Sequence, residues 1–524
     1  MIFDVIIQGG TLIDGTGDPM VKNDIGIKNE RIEKIGDLSN DGADIVIDAS
    51  GKYVTPGFVD VGNHSDSYWR VFSDPDLESL VYQGITTIVG GNCGSSVAPL
   101  MNQEMIASVQ KWADVSGINL DWLSISDLLS HLEKNPLSVN FATLVGHSTI
   151  RRGLIRDEMR ELTKDEMETL KEVLRMALQE GAIGMSSGLV YSHAKLANKD
   201  ELNNLAEIIK KQGGTYSTHI REESKDIVKS LSEAIGVARK TGVNLHISHL
   251  KIVGEKNWHL IDDVIKMIDG AREEGVNVNF DVYPYTYTGT VLYTLLPDWV
   301  SEGGKGMLLS RLKDPKTREK LIKEMQENEV EYDKVTIAIS SLDKTLSSRK
   351  IIDIAKMQEK SVEETILDVL VASSGRVITL MNTLSEDNLM ELMKHPASMI
   401  SSNGSGYNVD HKNSSELVHP RNFGSFVRVL SRYVQEKRIL SWEEAIHKMS
   451  GLPAKKFKID GRGTIREGNF ADILVLNPDT IDDASSIENP YRYAKGVDNM
   501  LINGETVVWE GKYTKERAGR IIKL

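Results

Sequence analysis

A single cysteine, Cys93, leaves no intramolecular disulfide to form, which suits a reducing compartment. No apolar run approaches the roughly 18 residues needed to span a bilayer. The opening MIFDVIIQGG has neither the basic stretch nor the apolar stretch of an export signal. Basic blocks are missing too. Lys and Arg are dispersed and the formal net charge is −14, which disfavours nucleic acid and anionic membranes as partners. There is no internal repeat and no low-complexity tract. These absences describe a cytoplasmic protein that acts on a small molecule. Its oligomeric state stays open, with a homo-oligomer among the options.

At 524 residues the chain exceeds the usual size of one core, so one large domain and a smaller one are expected. The first 50 residues read as short strands ending at Gly, Asp or Asn, and the last 70 repeat that texture. Asn503-Gly504, between LI and ETVVW, is a strong hairpin signal. One small β-sandwich built from both termini, residues 1–54 and 455–524, accounts for this. The middle, 55–454, alternates apolar runs with amphipathic helices. TPGFVDV, GITTIVGG, NFATLVG, GAIGMSS, GGTYSTH, GVNLHISH, GVNVNFDVY and ASMISSN read as parallel strands covered on both faces. Capping boxes at Thr163/Glu166 and Ser441/Glu444 start two helices; Gly181 stops the first, and Gly242 stops another that carries Ile227, Leu231 and Ala238. Eight strands with intervening helices predict an α/β fold, a (β/α)8 TIM barrel. The long gap at about 290–396, before the eighth strand, predicts an insertion of extra helices.

Side chains at the C-terminal ends of barrel strands converge on one mouth. Cys93, His219 and His249 end strands 2, 5 and 6 in this reading. A thiolate and two imidazoles suit Zn2+, and three protein ligands leave a fourth position open, as in catalytic sites. Taken alone, Cys93 would be a small buried hydrophobe and each histidine a satisfied rim residue. His246, three residues before His249, should face the other side of its strand and pack on helices. His131, His395 and His447 read as surface residues, and His193, His411 and His419 as loop residues within reach of the mouth. His147 and Arg221, ending strands 3 and 5, are candidates for touching the substrate.

The motifs IIQGGTLIDGTG, VTPGFVDV, QGITTIVGGNCG, LVGHSTIR, GAIGMSSGLVY, STHIREE, ISHLK, DVYPYTYTGT, HPRNFGSFVRVL and FADILVLNPDTI follow one another along the chain. In this order they resemble the D-aminoacylase (N-acyl-D-amino-acid deacylase) group of the amidohydrolase superfamily, over essentially the whole length. The resemblance implies a distorted barrel, a zinc held by Cys93, His219 and His249, and hydrolysis of an N-acyl bond on a D-amino acid or similar small amide. It also implies that Tyr191, Lys251 and Tyr283 hold the substrate's carboxylate.

Two positions depart from the group. Its first strand ends in His-x-His, whereas this chain has Gly62-Asn63-His64, which leaves His64 as the remaining ligand candidate there. The group carries Ser-Asp-Gly after strand 8, and here the general-base position is Asn403. A single zinc per chain is therefore expected. Asp66 is the leading substitute base, since residues 62, 64 and 66 share a side if the strand stays extended, and Asp281 is the second. His64 can also carry the proton. The competing reading is a non-hydrolytic member, either a ligand-binding protein or a zinc lyase or isomerase. It rests on the missing His and Asp.

Overall fold

Every residue of Ile85–Gly90, Asn140–Thr143, Gly184–Gly188, Thr215–His219 and Val278–Val282 is buried. Strands enclosed on both faces have no need to alternate polar residues, and of these only Val278–Val282, read VNFDV, does so. The computed structural model describes residues 2–101, 121–156, 158–191, 194–327, 330–340 and 344–524. Eight segments form the ring: β1 Phe58–Asp60, β2 Ile85–Gly90, β3 Asn140–Thr143, β4 Gly184–Gly188, β5 Thr215–His219, β6 Asn244–Ile247, β7 Val278–Val282 and β8 Ser398–Ile400. Neighbours pair in parallel and in chain order. The ring breaks at Leu144, and the short strand Val145–Gly146 takes up the pairing to β4. Between β8 and β1 no ladder forms. Side chains join that seam instead: Ser402 donates its backbone N–H to Asp60 Oδ1 at 2.9 Å and its hydroxyl to the same carboxylate.

The helices used below are α1 His147–Ile155, α2 Lys164–Gln179, α3 Lys199–Gln212, α4 Ile227–Thr241, α5 Ile261–Glu273, α6 Trp442–Met449 and α7 Gly451–Phe457. Thr163 and Glu166 close a capping box on α2, and Ser441 and Glu444 close one on α6. Gly242 ends α4 with φ +69, a turn that a Cβ would strain. Val59, Val61, Val89, Ala142, Leu144, Ile183 and Met399 fill the barrel's interior, and α7 plugs its floor with Ala454 and Phe457.

Both chain ends meet in one β layer. Val54 pairs with Val475 in a seven-stranded sheet, and Val5, Ile27, Ile473 and Leu501 share one core between that sheet and the N-terminal four-stranded one. Asn503 and Gly504, at φ +52 and +82, make the tight turn between Val497–Ile502 and Glu505–Trp509. The insertion holds the expected helices and also a sheet the sequence did not announce. Tyr287–Val291, Val377–Asn382 and Val335–Ser340 pair antiparallel, and Tyr287, Ala338, Ile378 and Leu380 pack together across them. YTGTV is too polar to read as a strand by itself, and only its partner Val377–Asn382 makes it one. Among the described residues no helix is long and apolar enough to cross a membrane.

Candidate metal centre and substrate cavity

The ends of β2, β5 and β6 bring Cys93, His219 and His249 together. One donor atom from each lies within 4.8 Å of the others, the only such group of three among the described residues. Cys93 Sγ is 3.2 Å from His249 Nε2, and the two imidazoles stand nearly perpendicular, 4.4 Å apart. Cys93 (φ +53) and His249 (φ +36) both sit in the left-handed region. That conformation is costly for a non-glycine residue and recurs where a side chain must be aimed. It also corrects the side expected for His246: the turn at His249 breaks the strand alternation, so His246 faces inward too. It still packs on a helix and stays out of the metal group, its ring on Phe457 of α7 and its Nε2 2.7 Å from Asp281 Oδ1. Asp281 also accepts the His249 backbone N–H at 2.9 Å and the Ser401 hydroxyl. It therefore braces a candidate ligand rather than facing substrate.

The donor set fits a zinc ion. Both ring nitrogens of buried His219 lack a hydrogen-bond partner. Burial holds the pKa of His219 and of His249 below the ordinary value, so both imidazoles are neutral and free to ligate. Burial pushes the Cys93 thiol up to about 12, so a cation is what would favour its thiolate. A carboxylate that the sequence reading missed completes the surroundings. Glu223 lies 3.5 Å from His219 Nε2, 3.3 Å from His249 Nδ1 and accepts from Lys251 Nζ at 2.5 Å. Burial alone would raise its pKa, but Lys251 and the two imidazoles outweigh burial and hold it below the usual carboxylate range. Its position four residues after His219 was the available signal.

The seam between β8 and β1 is built differently. A Cβ at Gly62 would lie 2.9 Å from Ser401 Cβ and Oγ and 3.3 Å from Asp281 Oδ2, so the space for an imidazole there is filled. His64 Nε2 is 2.9 Å from Asn403 Oδ1, and Asn403 is itself left-handed at φ +45. Burial, and after it the Arg421 charge, lower the His64 pKa to about 4, so it is neutral and donates this hydrogen bond. His64 lies outside the three-residue group. Asp66 corrects the sequence reading. Residues 64–70 turn tightly, with Tyr68 N bonded to His64 O and Trp69 N to Asp66 O, so the extended alternation does not apply. Asp66 points instead at the end of β2 and accepts from Gly91 N at 2.7 Å, and burial raises its pKa to about 6. It does not line the cavity.

That cavity, about 350 Å3, is lined by the triad, His64, Asn403, Tyr191, Lys251 and Tyr283, and by Arg421. Arg421 was not singled out, although its segment HPRNFG was. It is 8% exposed, its Nε and Nη1 have no partner, and its guanidinium lies 5.1 Å over the Tyr283 ring. The Tyr283 hydroxyl is likewise buried without an acceptor. His419, behind them, accepts the Arg421 backbone N–H and stays out of the lining. His411 bonds Glu416 instead of reaching the mouth, and His193 lies outside the described residues. Two other candidates turn away from the cavity. Arg221 is spent on Glu233 and on the carbonyls of Lys195 and Ala197, tying α4 to the loop before α3. His147 is fully buried against Glu201 at 2.7 Å. His395 is buried as well, 2.9 Å from Asp269, not a surface residue. His131 and His447 are partly exposed.

The chain is 31% identical to a D-aminoacylase of Alcaligenes xylosoxydans xylosoxydans, over 99% of this chain and 97% of that protein. The N-acyl-D-glutamate deacylase of Bordetella bronchiseptica, solved with zinc and a phosphonate mimic of the tetrahedral intermediate, is 30% identical with a TM-score of 0.84 and full coverage of both chains. A D-aminoacylase structure described as having a binuclear metal centre, with one-metal activation and second-metal attenuation, is 31% identical, also at TM-score 0.84 and full coverage of both chains. These likenesses confirm the fold class read from the sequence, an α/β barrel with a β domain. Residues 45–508 match the amidohydrolase family, and the chain belongs to that family of metal-dependent hydrolases of amide bonds.

Proposed function

We propose that the chain is an N-acyl-D-amino-acid deacylase working with one zinc ion held by Cys93, His219 and His249. The observation that carries this reading is Arg421. It is a buried guanidinium with unsatisfied donors and, among the described residues, no carboxylate partner, and it lines the same cavity as the triad. A buried cation without a counter-ion is expensive unless a ligand supplies one. An α-carboxylate does so, with Tyr283 Oη donating beside it and Tyr191 closing the side near Cys93. Lys251 adds charge to the same wall while Glu223 fixes its ammonium.

Zinc bound by the triad would supply a Lewis acid for the scissile carbonyl and acidify a water. The residues of the chain do the rest. Arg421 and Tyr283 fix the carboxylate end, so the amide falls between them and the triad. His64, neutral and facing the cavity, takes a proton from the attacking water at its free nitrogen and returns it to the leaving amine, while Asn403 holds the ring. Gly62 and Asn403 remove two donors from the position where a second metal would bind, so one ion per chain is the stoichiometry this reading requires. We place the enzyme in the cytoplasm, acting on a small molecule, in keeping with its acidic surface and lone thiol.

Metal analysis of the purified protein, with a panel of N-acyl-D- and N-acyl-L-amino acids, tests this. One zinc per chain and D-selective turnover are expected. L-selectivity, or no turnover of any member at full zinc occupancy, would overturn it.

A further inference from the structure

At the opposite end of the barrel from the mouth, a second cavity of about 730 Å3 lies where β5, β6 and β7 begin. Lys210, Arg239, Arg272, Lys455, Lys456 and Lys458 line it, and among the described residues Glu274 is the one acid in that lining. This inverts the balance of the whole chain, which has 62 Lys and Arg against 76 Asp and Glu.

Part of the charge has a structural cause. Gly213 and Gly242 end α3 and α4 at this cavity, and α5 ends beside Glu274. Each helix C-terminus presents about half a negative charge. Arg239 pairs with Glu274 at 2.6 Å, and Arg272 Nη1 donates to Val278 O at 2.9 Å. With α7, which ends at Lys458 in the same lining, four helix ends and one carboxylate amount to about −3 against six cations, which leaves an excess of about three positive charges.

Two buried groups point to a ligand. Lys456 is 5% exposed, and its ammonium donates only to the backbone O and side-chain Oδ1 of Asn277, at 3.1 and 3.0 Å. Burial, and after it the charge of Arg272, hold its pKa well below that of an ordinary lysine, and among the described residues no carboxylate pairs with it. Asn244, in the same lining, has a buried Oδ1 with no donor. Excess cations beside a vacant acceptor match a ligand with a multivalent anionic group and a hydroxyl. We propose that the floor of the barrel is a binding site for a small, multiply charged oxyanion, separate from the substrate cavity.

Isothermal titration of the zinc-loaded enzyme at constant ionic strength tests this, with inorganic phosphate in one arm and tricarballylate in the other. One saturable site per chain is expected, and the tighter probe assigns the ligand as phosphate-bearing or polycarboxylate. Lys456→Met and Lys458→Ser should each weaken binding about tenfold. Arg421→Met, at the mouth, should leave it unchanged. Lys456→Met replaces a buried cation by an apolar chain of similar length and should keep the fold. Lys458→Ser changes only an exposed side chain. No saturable binding of either probe, binding unaltered in both lysine variants, or binding abolished by Arg421→Met would each overturn the proposal.

Discussion

The mouth of the barrel has two halves built on opposite principles. At the ends of β2, β5 and β6, donor atoms point at one another, and both nitrogens of His219 are left open. At the seam of β8 and β1 the donors are used up locally. Asn403 holds His64, Ser401 fills the space beside Gly62, and Ser402 is spent on Asp60. Open donors in a buried place are a standing cost that only a ligand removes, whereas satisfied donors hold shape. The difference teaches how the two replaced positions read under the proposed function: Asn403 there holds the His64 imidazole instead of a second metal.

The sharpest way to break this comparison is to remove the half with open donors. Cys93→Ala should abolish zinc retention on dialysis and reduce turnover by about 10³-fold or more, since Lewis-acid stabilisation is worth several kcal/mol. Metal analysis with initial rates checks it, and a zinc-loaded, active Cys93→Ala protein would dissolve the distinction. Arg421→Met comes next. Loss of charge-assisted hydrogen bonds to a buried carboxylate should lower kcat/KM by about 10²-fold, with zinc content unchanged. If zinc falls with activity, Arg421 supports the metal half instead of the substrate.

The barrel, the terminal β layer and the triad were legible because they follow from short-range rules. Apolar strands ending in Cys or His at a parallel barrel's C-terminal face can meet in one place only. The misreadings of Asp66 and His246 share one cause. Strand alternation was carried past the last hydrogen-bonded residue, where Cys93, His249 and Asn403 turn left-handed and residues 64–70 coil. That carried Asp66 onto the wrong side and His246 onto the wrong face. Glu223 was missed although its place four residues after His219 was on the page, and Arg421 escaped for another reason. A side chain's missing partner is a property of the folded core, and nothing in HPRNFG states it.

Asn403→Asp sharpens the comparison at the seam. A carboxylate 2.9 Å from His64 favours the imidazolium, so its pKa should climb from about 4 towards the ordinary 6.5. With His64 carrying the proton, the acid limb of kcat/KM should move to higher pH by at least one unit, with little change near pH 8. Stability should respond with a definite sign. In the parent, His64 binds its proton more readily unfolded than folded, so stability is lost as pH falls from 6.5 through about 4. The variant should lose less across that window in acid melts of the metal-free protein. An acid limb that stays in place would remove His64 from the proton path.

Asp66→Asn should have the smallest effect, and its smallness is informative. Asp66 was the natural substitute base, and as a base its amide variant would lose about 10²–10⁴-fold. Here its Oδ2 accepts from Gly91 N, outside the cavity, and an amide oxygen can accept the same bond. Its pKa, raised by burial to about 6, gives the opposite sign to His64. The folded state favours the protonated acid, so ionisation weakens the fold as pH rises from about 4 to about 6. The amide carries no such penalty. Asp66→Asn should therefore keep kcat/KM within about threefold and melt no lower than the parent at pH 7, as initial rates and a thermal melt would show. A hundredfold loss of turnover at unchanged stability would put Asp66 back at the chemistry and take the role of proton carrier from His64.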